Sequence, residues 1–538
     1  MRKRGSITVF ASLSLMLVAQ MIFTFLEGAH CLEVSKSTQM NTDAVLESVF
    51  ADYCTPLWEK YKILGASAEE SGGNFSLNNR EAQLRNMTRE NLGGGSHLLH
   101  ADMTDVEFTS YLLMSDQAGR VFEEAVCSYM KQNMGYEAAK SLYSNFESAK
   151  NLKDGYDGSD KSIENAKSAL EESVKEEGQT QTAFSGGRVS TPGAGTGSIV
   201  VYRKTTAPNE ERIIDTNNAG ASVQTAQTRQ KESTDSGDKE KNILDLVMEA
   251  KQKGVLTFVI PEGTKLSDNS LSLEKTVSHR SLQKGTGGSL PAGDWYQKVL
   301  LNQYLMNYLT CYTDRQDDRA MNYELEYLLA GKPADRENLK VVVEELLAIR
   351  EALNMASISA MPDKQEEAAA LALVIAGASA NPFIIEAVKY GILAAWAFVE
   401  SVLDLRTLLE GGKIAMVKSE AEWTSHLSSL PELLSGWSVA KESPRGMDYK
   451  SYLGLLLYFH SEQKLSMRAM DVEEAAVRKV EGYENFQMDH LICDAKVQAC
   501  YSYQPVFLGF VHLLERKNSQ FQIQKESWYS YFEQKGGV

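Results

Sequence analysis

The apolar positions along this chain change their period several times, and each change predicts an element. Ile7 to Leu26 (ITVFASLSLMLVAQMIFTFL) runs without a charged side chain, and Glu27 closes it. As a helix such a run spans roughly 30 Å, the thickness of a bilayer's hydrocarbon core. Its polar interruptions are Thr8, Ser12, Ser14, Gln20 and Thr24. Hydroxyls can bond their own helix backbone, so Gln20 is the main cost in lipid. Val34, Thr38, Asn41 and Val45 are too polar for membrane. Val45, Val49, Tyr53 and Leu57 recur every four residues and predict a helix running on towards Pro56.

Residues 66–105 carry Gly/Ser/Asn clusters and read as loops around short elements. Val121, Ala125, Tyr129 and Met130 share a helical face that stops by Gly135, and Tyr136 to Leu152 starts another helix. Residues 153–241 are rich in Gly, Ser, Thr and charge and read as a flexible linker. One amphipathic stretch (Ile163, Ala166, Leu170, Val174) and a strand candidate, Ser198–Tyr202, interrupt it. Asn242–Lys253 predicts a helix ended by Gly254, Leu256–Ile260 a strand ended by Pro261, and Ser267–Pro291 a loop.

From Trp295 to Ile358 the pattern is helical. Leu339, Val342, Val343, Leu346, Leu347, Arg350 and Leu353 form one stripe. Gly331 and Pro333 separate it from a helix ending at Leu329, and Asp335 is placed to cap the new helix. Ala368 to Ile385 is uncharged, Glu386 and Lys389 intervene, and Tyr390 to Val399 is apolar again. Asn381-Pro382 breaks the block, and its alanines and glycines favour a helical hairpin in a soluble core over a membrane hairpin. At the end, Phe486, Met488, His490, Ile492 and Asp494 alternate, Lys496–Tyr503 continues extended, and Phe521–Tyr531 alternates too. Pro505 and an apolar connection between them predict an antiparallel pair. The expected fold class is α+β: a mainly helical extracytoplasmic body with a C-terminal antiparallel strand pair, on one N-terminal transmembrane helix. The expected segments are 1–27 (basic tip and anchor), 28–152 (membrane-proximal, helical), 153–241 (linker) and 242–538 (main α+β domain).

Arg2, Lys3 and Arg4 all precede the apolar run, which orients the N-terminus towards the cytoplasm and the body outside. Glu27-Gly28-Ala29-His30 offers no Ala-x-Ala, so a retained signal-anchor is favoured over a cleaved signal. The formal charge of −17 repels phosphates and excludes nucleic acid as a sequence-independent partner. Six cysteines are spread widely with no CxxC. Cys493 and Cys500, seven apart, would fall on opposite faces of a strand, and buried free thiols are the favoured reading.

Candidate chemistry is sparse. Gly193–Gly197 lacks a following Lys-Ser/Thr and a βαβ setting, so it reads as linker rather than phosphate loop. His97, His100 and Asp102 form one local metal-like cluster, without HExxH or a second cluster. The pairs Asp317-Asp318, Glu344-Glu345 and Glu366-Glu367 read as solvated helix faces. Tyr304, Tyr308 and Tyr312 recur as helix-packing aromatics. No catalytic, cofactor-binding or metal-ligating residue is predicted, and the expectation is a non-enzyme.

Arg2-Lys3-Arg4, then Gly5-Ser6, then the apolar helix resemble the start of type IV prepilins and TadE/TadG-like pseudopilins. Those are cut on the cytoplasmic side just after the glycine, and Phe10 stands here where they usually carry Glu. More closely, the chain resembles an uncharacterised family of clostridial membrane proteins associated with Tad-type pilus loci. The matching pieces are Glu326–Lys332, Asn338-Leu339, Glu345–Arg350, Glu386–Lys389, Ala394–Glu400, Lys418 and Trp423. The resemblance implies an accessory or pseudopilin-like component of a Tad-type pilus or related surface secretion assembly. Its partners would be membrane lipid and other pilus or envelope assembly proteins, with Gly5 and Ser6 as a possible processing point. A membrane-tethered envelope hydrolase and an adhesion module are the alternatives.

Overall fold

The computed structural model describes residues 4–70, 73–93, 100–154, 243–316, 319–507 and 520–532, with helical positions 162, 164–166, 168 and 169. Almost all of the 153–241 stretch, including Ser198–Tyr202 and Gly193–Gly197, lies outside the described residues.

The first helix, α1 (Arg4–Phe50), is unbroken and about 70 Å long. It is followed by α2 (Thr55–Tyr61), β1 (Ala66–Ser67), α3 (Asn78–Gly93) and β2 (Asp102–Leu113), then α4 (Asp116–Asn133) and α5 (Tyr136–Asp154). The chain resumes with α6 (Ile243–Lys253), α7 (Leu256–Val259), α8 (Trp295–Tyr308), α9 (Glu324–Ala330), α10 (Asp335–Ser359), α11 (Pro362–Ala376) and α12 (Pro382–Leu409). Three helices, α13 (Leu430–Ser435), α14 (Tyr449–Phe459) and α15 (Glu462–Val477), precede β3 (Leu491–Tyr503) and β4 (Phe521–Ser530).

The expected C-terminal pair is present: β3 and β4 run antiparallel, with Val497 opposite Ser527. The sheet is larger than the sequence indicated. β2 pairs antiparallel along β3, placing Phe108 opposite Val497. β1 meets the first two residues of β3. The 28–152 stretch, expected to be helical, therefore supplies two strands as well as helices. Residues 66–105, expected as loops around short elements, hold β1, the 16-residue α3 and the start of β2. Phe486–His490, expected as strand, is irregular chain leading into a single 3-10 turn, and extended pairing starts at Leu491.

Two cores follow. One packs α1 and α3 on the sheet through Val45, Leu46, Val49, Leu84, Val106, Val497, Ala499 and Tyr501. The other is the helical body, centred on α12 with Ile392, Leu393, Trp396, Val399 and Leu403 fully buried. The α11–α12 hairpin turns at Asn381, whose side chain accepts from the Phe383 amide. Although α12 is long and apolar enough to cross a membrane, 61% of its apolar window is buried inside the protein. Its Glu400, Asp404 and Arg406 are buried too.

Two further expectations are corrected. Leu256–Ile260 is a short helix rather than a strand. Among the described residues no strand lies beside it to accept a ladder, and the Phe258 carbonyl is taken by Arg406 of α12. Tertiary contact overrides β-propensity there. Asp335 does not cap α10, because Ala334 holds the cap position. Its carboxylate instead accepts from the amides of Asn322 and Tyr323 and from Ser267 Oγ, fastening the turn before α9.

The 267–291 stretch is irregular, as expected, yet it is pinned along its length by carboxylates. Asp471 takes the Ser278 amide and hydroxyl, and Glu474 and Asp489 share Arg280. Asp116 takes the Gly285 amide. A Cβ at Gly285 would fall 2.4 Å from the Tyr111 carbonyl, so only glycine lies this close to β2.

In the body, Arg350 and Asp404 pair at 2.7 Å with no exposed surface, and Lys418 bridges Asp404 and Glu400. Two cations and two anions cancel, and nearly every polar atom is used. Arg350 also donates to Tyr452 Oη and to the carbonyls of Ala415 and Met416. Glu400 accepts from the Thr424 and Ser425 amides. Burial alone would raise Asp404, yet Lys418 and Arg350 hold it below the ordinary carboxylate value. Removing one member strands a buried charge. Asp404→Ala should therefore cost about 3–5 kcal/mol in denaturant unfolding of the detergent-solubilised chain. Lys496→Ala, which breaks the half-exposed pair with Glu526, should cost under about 1 kcal/mol. Equal losses would refute the bracing role.

Candidate functional site

The element that sets this molecule apart is α1, because its environment changes abruptly along one continuous helix. Every large apolar side chain from Ile7 to Leu26 is exposed, at 37% or more. The helix is apolar on all faces there, with Ser12 and Thr24 bonded back to the Val9 and Gln20 carbonyls. The change comes at Glu27 and His30, both buried. Glu27 accepts from the Phe507 amide at 2.7 Å and pairs with His30 Nδ1 at 3.0 Å. The His30 ring meets Tyr503 and Phe507 edge-on.

Beyond that point the helix is clamped. Val34, Thr38, Asn41 and Val45, the set too polar for membrane, form one buried stripe facing the sheet and α3. Thr38 satisfies its hydroxyl on the Val34 carbonyl, and Thr42 does so on that of Thr38 while meeting Tyr501 Oη at 2.7 Å. Asn41 reaches Thr88 and Tyr501 and accepts from Asn91. On the β4 side, Lys525 donates to Ser35, Gln39 to the Glu526 carbonyl, and Ser527 to Asp43. Phe50 stacks on Tyr529 at 4.7 Å. Of the residues singled out at the N-terminus, Arg4, Gly5 and Ser6 are in the helix, and Arg2 and Lys3 lie outside the described residues.

The other sequence candidates do not converge. His100 meets Asp102 at 3.4 Å on an exposed surface, and His97 lies outside the described residues, as do Asp317 and Asp318. Among the described residues no group of three or more His, Cys, Asp or Glu is placed to hold a metal ion. Tyr304 and Tyr308 pack as expected, with Tyr304 Oη donating to Glu473 and Tyr308 to Tyr129. None of the six cysteines is in a disulfide. Cys493 lies in the body core, and Cys500 is half-buried. A cleft of about 410 Å³ opens between the end of α1 and the 482–486 turn, lined by Asp52, Glu69, Glu70 and Arg80 among others. The Arg80 guanidinium is already taken up by the Ser67 carbonyl and Asp52.

The comparisons bear on the body rather than on α1. Residues 233–503, just over half of the chain, match a family of unknown function, DUF5702. The chain belongs to DUF5702. No curated protein and no solved structure matches it. The DUF5702 region takes in α6 to β3 and leaves out α1 and the three strands that pair with β3. Five polar residues of the segments behind the resemblance, Glu326, Asn338, Arg350, Glu400 and Lys418, are interior fastenings of this region. Asn338 exchanges hydrogen bonds with the Lys332 backbone, and Glu326 accepts from the Tyr312 amide and Tyr449 Oη. Arg350, Glu400 and Lys418 form the brace described above. Sequence reasoning marked these positions but not their pairing, which joins residues up to 123 positions apart, as in Glu326 and Tyr449.

Burial pushes the Glu326 carboxyl up to about 7. A carboxyl held above its unfolded value stabilises the fold most when protonated, and that contribution fades as pH rises from about 4.5 through about 7. Glu326→Gln keeps an acceptor for both donors without the titration. The stability difference between wild type and this variant should move against wild type by on the order of 2–3 kcal/mol across that window. Parallel unfolding curves from pH 4.5 to 8 would show that Glu326 does not titrate in the fold.

Proposed function

We propose that this chain is a membrane-anchored, non-catalytic component of a surface assembly, pseudopilin-like in its use of α1 and of the Tad-type pilus or related secretion kind. The observation that carries the reading is the single helix that is bare and apolar over its first half and fastened to the sheet over its second. A helix apolar all round needs lipid or other apolar helices as its surroundings. One that continues without a break into the body transmits position and force between the two. Arg2, Lys3 and Arg4 keep the tip cytoplasmic, which places the sheet and the helical body outside the cell. The partners are membrane lipid and the apolar helices of other envelope assembly subunits. Gly5-Ser6 is the processing point if the tip is removed.

Two measurements test this. A reporter fused after Val538 should be active only outside the cytoplasm, and a C-terminus protected from protease in intact protoplasts would overturn the orientation. A photocrosslinking residue at Val9 or Leu17 of the full chain, in cells, should trap the apolar N-terminal helix of a second assembly subunit. Crosslinks to lipid alone would contradict the assembly role.

A further inference from the structure

We propose that the end of the sheet nearest the apolar half of α1, formed by Pro505–Phe507 and Phe521, sits in the bilayer leaflet next to the body. The chain would then meet lipid through a second element besides α1. This rests on the reading of α1 as a membrane span. The contacts between β4 and α1 set the level. They pair Lys525 with Ser35, Ser527 with Asp43 and Tyr531 with the Phe50 carbonyl, so the strand and the helix run in the same direction. A strand advances about 3.3 Å per residue and a helix about 1.5 Å. Stepping back from Lys525 to Phe521 retreats about 13 Å, or about nine helix residues, and brings Phe521 level with the end of the apolar run.

The far end of β3 reaches the same level independently. Tyr503 Oη lies 3.0 Å from Cys31 Sγ, the Phe507 amide donates to Glu27, and Tyr503 stacks on Phe521 at 5.6 Å. Phe507, four residues past the end of β3, and Phe521, the first residue of β4, therefore both lie beside the boundary where α1 becomes bare. Two large apolar side chains are open at that boundary, Val506 and Phe521, each 42% exposed, with Gln504, Gln520 and Gln522 exposed beside them. Pro505, Val506 and Phe507 carry no charge. Apolar surface continuous with a bare transmembrane helix fits the acyl region of lipid. The carboxylate nearest it, Glu27, is bonded to His30 and the Phe507 amide, which lowers the cost of its position.

The test uses the full chain reconstituted in phosphatidylcholine–phosphatidylglycerol vesicles holding a hydrophobic carbene photoprobe, with adducts mapped by mass spectrometry. Adducts are expected on Ile7–Leu26 and on Val506, Phe507 and Phe521. Phe383 and Trp437, exposed apolar positions of the body, should carry at least tenfold less. In the Val506→Asp, Phe521→Asp double variant, adducts at 505–507 and 521 should fall several-fold while those on Ile7–Leu26 stay unchanged. Adducts confined to Ile7–Leu26 overturn the proposal and leave the anchor standing. Absence of adducts from Ile7–Leu26 overturns the anchor and this proposal together.

Discussion

The pairing of β3 with strands from both ends of the chain is the constraint on which the rest depends. β3 leaves the helical body with Leu491 and Cys493 in its core and ends with Tyr503 against Cys31. In between it is flanked by β2 and β4, and its Ala495, Val497, Ala499 and Tyr501 line the core shared with α1. Without this strand, α1 and the body would share few packed contacts. With it, a helix that starts bare and apolar is fixed in direction relative to the helical body. The pairing closes a very long loop, since Asp102 lies opposite Ser502.

A second device recurs through the body. Carboxylates taken out of water hold irregular backbone in place: Asp335 at 322–323, Asp116 at Gly285, Glu400 at 424–425. Each exchanges solvation for amide donors that would otherwise be unsatisfied, the condition under which buried charge is tolerated. This is how the 267–291 strap and the 411–425 segment stay ordered with little regular structure. It also accounts for ionisable residues inside α12, where Arg350 and Lys418 neutralise Asp404 and Glu400.

What could be read from the sequence was local. The uncharged run to Leu26, the stripe from Leu339 to Leu353 and the alternation after Phe521 each carry their period within one element, and each forms the element it predicts. β2 escaped because its partner lies almost 390 residues away and its ladder is interrupted by three register shifts, which blur its alternation. LTFVI was misread because its β-branched and aromatic residues face a helix rather than a strand. The junction at Glu27, His30, Tyr503 and Phe507 escaped for the same reason of distance. The one hint was that Glu27 ends the apolar run, followed by a histidine one turn later. The mixed stripe of Val34, Thr38, Asn41 and Val45 was visible, and its hydroxyls and amide turned out to face Tyr501 and Thr88.

The central claim is that α1 passes from its apolar half into the sheet as one rigid helix, without a hinge. Hydrogen exchange of the full chain in lipid nanodiscs tests it most directly. The account predicts continuous slow exchange from Phe23 through Val45, with the amides around Glu27 to Val34 as protected as those of β3. Fast exchange confined to Glu27–Val34, between two protected stretches, would reveal a hinge and contradict the claim.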